Sequence, residues 1–184
     1  MTYDIILTNS KSSTGFYKTR GLGAHLIAEE ARKLGFSAVV IDFMEQWSKE
    51  DFTKALDKLV GANTRCFGFS TTWAKDYYAG KPEPSEYIAD WFVNGNLEFM
   101  VDEIKKRNSN TKIIVGGKKS KPLSKHLFDR GIDYIFDGYA ETTFIDWLLD
   151  KKIFNPLITY DPRKESHRAL MSDEYQFVES IPRY

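Results

Sequence analysis

The sequence predicts an α/β domain: a doubly wound, Rossmann-like fold of the flavodoxin type, with a five-stranded parallel sheet and helices on both faces. Two observations carry this. Short apolar, β-branched runs alternate five times with stretches of helical periodicity. Most of these strand runs are followed by glycine or hydroxyl residues, the chemistry of tight strand-to-helix turns. Right-handed crossovers then give the strand order 2-1-3-4-5.

Ile5 to Leu7 is the first strand, followed by the polar loop Thr8 to Gly15. From Leu22 to Leu34, Ala24, Ile27, Ala28, Ala31 and Leu34 share one helix face, and Gly35 stops the helix. Ala38 to Ile41 is the second strand. Ser48 caps a helix with Asp51 in the capping-box position, and its inner face is Phe52, Leu56 and Leu59. Cys66 to Phe69 is the third strand. Residues 73–95 break the rhythm with Trp73, Tyr77, Tyr78, Tyr87, Trp91 and Phe92 beside Pro82 and Pro84, and read as an aromatic-rich insertion. Leu97, Met100, Val101 and Ile104 mark the next helix, and Lys112 to Val115 the fourth strand, ended by Gly116 and Gly117. A short helix over Ser124 to Asp129 leads to the fifth strand, Tyr134 to Phe136. The last helix, Glu141 to Leu149, turns Phe144, Ile145, Leu148 and Leu149 inward. Residues 1–150 thus form the domain. Residues 151–184, with Pro156, Pro162 and Pro182, read as an extended tail or linker.

Composition narrows the function. The 184 residues suit one domain plus some extra chain. Acidic and basic residues number 26 each, so no basic surplus supports nucleic-acid binding. No apolar run is long enough to span a bilayer. One cysteine, Cys66, forms no intrachain disulfide, which fits a reducing, cytoplasmic setting. Nor can one thiol hold a cysteine-only zinc site or an iron–sulfur cluster. His25, His126 and His167 lie too far apart for metal-ligand spacing, and no catalytic triad or cysteine–histidine pair can be placed, so no catalytic residue and no protein-held metal are assigned.

Ligands of such folds bind at the carboxyl ends of the strands. Four stretches converge there: Thr8 to Gly15, Ser70 to Thr72, Gly116 to Lys118, and Gly138 to Glu141. They are small, hydroxyl-bearing or glycine, so a ligand can approach backbone N–H groups and the helix N-termini. The candidate binding residues are Asn9, Ser10, Ser70, Thr71, Thr72, Gly116, Gly117, Lys118, Gly138, Tyr139 and Glu141. Each single loop reads equally as a plain turn. His25, inside the first helix, reads as a partly buried helix residue.

The run R-G-L-G-A-H-L-I-A-E-E-A-R-K-L-G-F from Arg20 to Phe36, then V-V-I-D-F to Phe43, resembles the opening of cobalamin-binding domains fused to radical S-adenosylmethionine enzymes. F-G-F-S-T-T ending at Thr72, I-I-V-G-G ending at Gly117, and G-I-D-Y-I-F-D-G-Y-A-E ending at Glu141 are similar to the same family in order and spacing. The resemblance covers about residues 3–150. It implies a corrin ring over the strand ends and a nucleotide tail running down between the sheet and a helix. Ser70 and Thr71 would contact the tail, Gly116 and Gly117 would leave room for it, and Gly138 to Glu141 would lie beside it or the corrin edge.

Asn9 to Gly15 departs from the D-x-H-x-x-G run by which some of these domains ligate cobalt, so the implied cobalamin has no protein histidine below the metal. Asp137 to Glu141 departs from the family's glycine–acid–glycine–acid run, with Tyr139 and Ala140 adding side chains. The C-x-x-x-C-x-x-C motif that holds the [4Fe–4S] cluster and S-adenosylmethionine is missing, so these belong to a catalytic barrel supplied elsewhere, in cis or in trans, towards which the tail would lead. Two alternatives stand beside this reading: a degenerate module that uses the aromatic insertion as a protein interface, and a flavodoxin-like carrier of FMN bound near Ser12 to Gly15.

Overall fold

The computed structural model describes residues 1–9, 22–42, 44, 47–71, 96–117, 120–151 and 155–159. The aromatic insertion at 73–95, the loop from Ser10 to Gly21 and the tail beyond Thr159 lie outside the described residues.

The elements follow the predicted alternation. β1 (Ile5–Asn9) leads to α1 (Leu22–Lys33), β2 (Ala38–Asp42) to α2 (Lys49–Leu59), and β3 (Cys66–Ser70) is followed by α3 (Asn96–Arg107). β4 (Lys112–Gly117), α4 (Ser124–Phe128), β5 (Tyr134–Asp137) and α5 (Glu141–Leu148) complete the expected set. The sheet is parallel throughout, in the order β2-β1-β3-β4-β5-β6.

The sixth strand corrects the sequence reading. β6 (Leu157–Thr159) comes from the stretch read as tail, and pairs with β5 from Leu157 opposite Ile135 to Thr159 opposite Asp137. Three residues behind a proline carry no alternation pattern. Pairing comes from the neighbour: the Ile135 amide donates to the Pro156 carbonyl at 2.7 Å and sets the register.

Strand residues alternate between two cores. Ile6, Val39, Ile41, Phe67, Phe69, Ile113, Val115 and Ile135 face α2, α3 and α4. Ile5, Leu7, Ala38, Val40, Cys66, Ile114 and Phe136 face α1 and α5. Both strand faces being buried is why these runs lack polar alternation. The α2 start is as expected: Ser48 Oγ accepts from the Asp51 amide at 3.0 Å, and Asp51 answers the Ser48 amide, closing the capping box. Hydrogen bonds from Ser48 hold the Asp51 carboxyl below its usual value.

Two helix faces are narrower than predicted. On α5, Phe144 and Leu148 are buried, but Ile145 is only partly covered and Leu149 is 38% exposed. Leu34, just past α1, is 47% exposed while Ala24, Ala28 and Ala31 are buried. The helix-ending turn carries Leu34 off the stripe, and Gly35 takes the expected left-handed conformation at φ 89°.

Candidate functional site

The strand order reverses direction at β1: the chain passes from β1 to β2 on one side, and from β2 back across to β3 on the other. The carboxyl ends of β1 and β3 are therefore the topological switch point, where open α/β sheets take ligands. Continuing the alternation upward places one row of residues on the α1/α5 face at this end. Asp42 of β2 pairs with Asn9 of β1, Ser70 of β3 pairs with Gly116 of β4, and Gly116 pairs with Phe136 of β5. Because Thr8 stands opposite Phe69, Asn9 and Ser70 are the next rung between β1 and β3. One row thus reads acid, amide, hydroxyl, glycine, aromatic.

The acid end is closed. Asp42 and Asn9 are buried, and Asn9 Nδ2 donates to Asp42 Oδ1 at 3.0 Å. His25 of α1 reaches down to the same carboxylate, with Nε2 at 3.1 Å from Oδ1 and 3.2 Å from Oδ2. The sequence reading made His25 partly buried; it is fully buried. A carboxylate there needs such donors, since burying an unpaired charge costs several kcal/mol.

The glycine end differs. Gly116 does not have the positive φ that requires glycine, and among the described residues a Cβ built on it meets nothing closer than the Phe136 carbonyl oxygen at 3.9 Å. Gly117 and Gly138 differ: their φ values of 113° and 88° lie in the left-handed region, and an isolated antiparallel bridge joins them. Backbone geometry alone accounts for those two. Beyond them, Ser120 Oγ donates to the Gly117 carbonyl at 2.7 Å and turns the chain towards α4.

The other candidates divide. Thr71 is fully buried, and its amide donates to the Gly116 carbonyl at 2.7 Å, extending the β3–β4 ladder by one bond. Tyr139 and Glu141 carry the chain from Gly138 into α5 and are half-buried. They lie at the β5 side, roughly 14 Å across the sheet from β1 at the usual strand spacing. Ser10, Thr72 and Lys118 lie outside the described residues. Among the described residues, no group of three histidine, cysteine, aspartate or glutamate side chains is placed to hold a metal. Cys66 is buried four residues before Ser70 on the same face, and burial pushes its thiol up to about 12, which keeps it protonated and inert. No helix among the described residues is long and apolar enough to cross a membrane. What this edge offers is hydrogen-bonding groups beside bare backbone.

Sequence reasoning missed Asp42 and His25 as partners. The available signal was a histidine on the apolar stripe of α1 and an acid ending a strand buried on both faces; two such groups need each other.

The fold and edge define a flavodoxin-like, doubly wound α/β domain. No protein-family model matches the sequence, and no curated protein sequence matches it. Among solved structures, the chain is similar to TsrM from Kitasatospora setae, a radical S-adenosylmethionine methyltransferase solved with its tryptophan substrate and a SAM analogue. The TM-score is 0.55 at 14% identity, over 79% of this chain and 25% of that one. The isolated REC domain of RcsB from Salmonella enterica serovar Typhimurium, solved with the phosphomimetic BeF3-, gives 0.46 at 13% identity over 88% and 95%. At these identities the likeness is one of fold. The chain spans a quarter of the length of the methyltransferase.

Proposed function

We propose that this chain is a cobalamin-holding domain that works with a radical S-adenosylmethionine barrel supplied in cis or in trans. The observation that carries the reading is Gly116. Neither backbone conformation nor a described neighbour calls for glycine there, and glycine in a strand costs about 0.5–1 kcal/mol relative to alanine. A slender group approaching the sheet at this point is a reason for leaving it bare.

The residues fit a corrinoid tail better than a phosphate or a metal. A tail entering on the α1/α5 face meets the Gly116 backbone, the Ser70 hydroxyl and, beside them, the Phe136 and Phe144 rings, which stand 5.7 Å apart in a T-shaped pair. Gly138, Tyr139 and Glu141 would flank it or the corrin edge. His25 is committed to Asp42 by Nε2, so it would not serve as a cobalt ligand in this reading. Bound cobalamin supplies a cobalt-centred carrier of methyl groups or electrons. The cluster and S-adenosylmethionine belong to the barrel.

The test is an absorbance titration of the purified chain with hydroxocobalamin and methylcobalamin, with FMN as control. Saturable one-to-one binding, with the spectrum of cobalamin freed from its own base, is the expected result. Binding of FMN alone would make the chain a flavin carrier, and binding of none would favour a protein-interaction module.

A further inference from the structure

Below the row that carries Ser70 and Gly116, the same face is filled with hydrocarbon. Gly68 and Ile114 pair across β3 and β4, two residues before Ser70 and Gly116, and Leu7 pairs with Gly68 from β1. Gly68 has no side chain, and its neighbours take the space. The three atoms nearest a Cβ built there are all carbon: Leu7 Cδ2 at 2.7 Å, Ile114 Cγ1 at 3.0 Å and Ile114 Cδ1 at 3.2 Å. Leu7 and Ile114 are buried in the α1/α5 core, which also holds Phe136 and Phe144. β3 and β4 each have a hydrogen-bonded strand on both sides, so the ladders engage their backbone amides and carbonyls. A group entering at Gly116 therefore meets an apolar floor two residues further down, about 7 Å away.

We infer that Leu7 and Ile114 are specificity-determining residues, which select a corrinoid whose tail ends in an apolar benzimidazole over one whose tail ends in a purine. The inference rests on the cobalamin reading and deepens it. In an extended tail the base leads, with ribose and phosphate behind it, so the base is the part that meets the floor. Dimethylbenzimidazole presents methyl groups and ring carbons to Leu7 and Ile114. Adenine presents an amino group and ring nitrogens, which lose their water there against carbon atoms and a backbone already engaged in the ladders.

The test titrates the purified chain with three corrinoids: hydroxocobalamin, the same corrin carrying adenine in place of dimethylbenzimidazole, and cobinamide, which has no nucleotide. Wild type binds hydroxocobalamin at least about tenfold more tightly than the adenine form. Ile114→Val withdraws one carbon from the floor. It weakens hydroxocobalamin binding about threefold and leaves cobinamide binding unchanged. Ile114→Thr has nearly the shape of the valine variant but adds a hydroxyl that can pair with a purine, and narrows the preference to within about threefold. Should Ile114→Thr fail to fold, the wild-type comparison and Ile114→Val decide. The inference is overturned, and the cobalamin reading left standing, by any of three results. These are equal affinity of wild type for the two tailed corrinoids, an Ile114→Val change that is absent or shared equally by cobinamide, and a folded Ile114→Thr chain with the preference intact. A wild-type chain that binds no corrinoid overturns both.

Discussion

Gly68 and Gly116 sit on the same face of neighbouring strands, two rungs apart, and have opposite surroundings. A Cβ on Gly68 would stand 2.7 Å from Leu7 Cδ2 and 3.0 Å from Ile114 Cγ1, so those two side chains already use the space. Among the described residues, a Cβ on Gly116 would meet only a carbonyl oxygen, at 3.9 Å. The first glycine serves the core and the second serves nothing inside the described fold. The same division separates the two faces at the carboxyl end. Ile41, Phe69 and Val115 make one face apolar to its edge, whereas Asp42, Asn9, Ser70 and Gly116 make the other polar, with hydrogen bonds closing its acid end.

The largest expected effect comes from breaking the closed end of that row. Asp42→Ala strands the Asn9 and His25 donors in a buried site, at about 1–3 kcal/mol for each. Chemical denaturation should show a loss of several kcal/mol, a large fraction of a small domain's stability. A loss within experimental error would mean that the trio is not the buried network described above.

Next comes Gly68→Val. The added methyl groups drive into Leu7 and Ile114, and overpacking of this kind costs about 1–3 kcal/mol. The denaturation midpoint should fall with little change in slope. Gly117→Ala belongs beside it for a different reason: at φ 113° a side chain strains the backbone, so any binding defect there is mixed with a folding defect. Sequence reading makes Gly116 and Gly117 equal candidates, but their backbones separate them, and only Gly116 gives a clean test of ligand room.

Cys66 reports whether these variants keep the α1/α5 core. With its thiol pushed up to about 12, the thiolate fraction at pH 8 is roughly a thousandfold below that of an ordinary cysteine. Alkylation of the native chain should be slower by that factor or more, and should reach the ordinary rate in denaturant. A native chain that labels readily would mean that this face opens without unfolding.

Most of the fold was legible because fully buried strands and amphipathic helices repeat with different periods. The capping box at Ser48 and Asp51, and the glycine stop at Gly35, could be read residue by residue. β6 could not, because three residues after Pro156 acquire their identity from β5. The site was legible only in outline. Strand ends name the neighbourhood, but which rung faces which depends on register. The link from His25 to Asp42, 17 residues apart, depends on how α1 lies on the sheet. Neither register nor helix placement is a local property of sequence.

The smallest expected effect on the fold is the most informative. Gly116→Val adds a β-branched side chain to a strand, where such residues are favoured, at an ordinary backbone conformation with room around its Cβ among the described residues. Stability should stay within about 0.5 kcal/mol of wild type, and Cys66 should remain protected. The new methyl groups, however, occupy the bare end of the row beside Ser70 and Phe136. Cobalamin affinity should fall at least tenfold. A variant that is as stable as wild type and binds as well would show that the ligand does not approach the sheet here. A variant that unfolds would show that Gly116, like Gly68, belongs to the core. The contrast between the two glycines is sound only if one substitution damages the fold and spares the chemistry at the edge, while the other does the reverse.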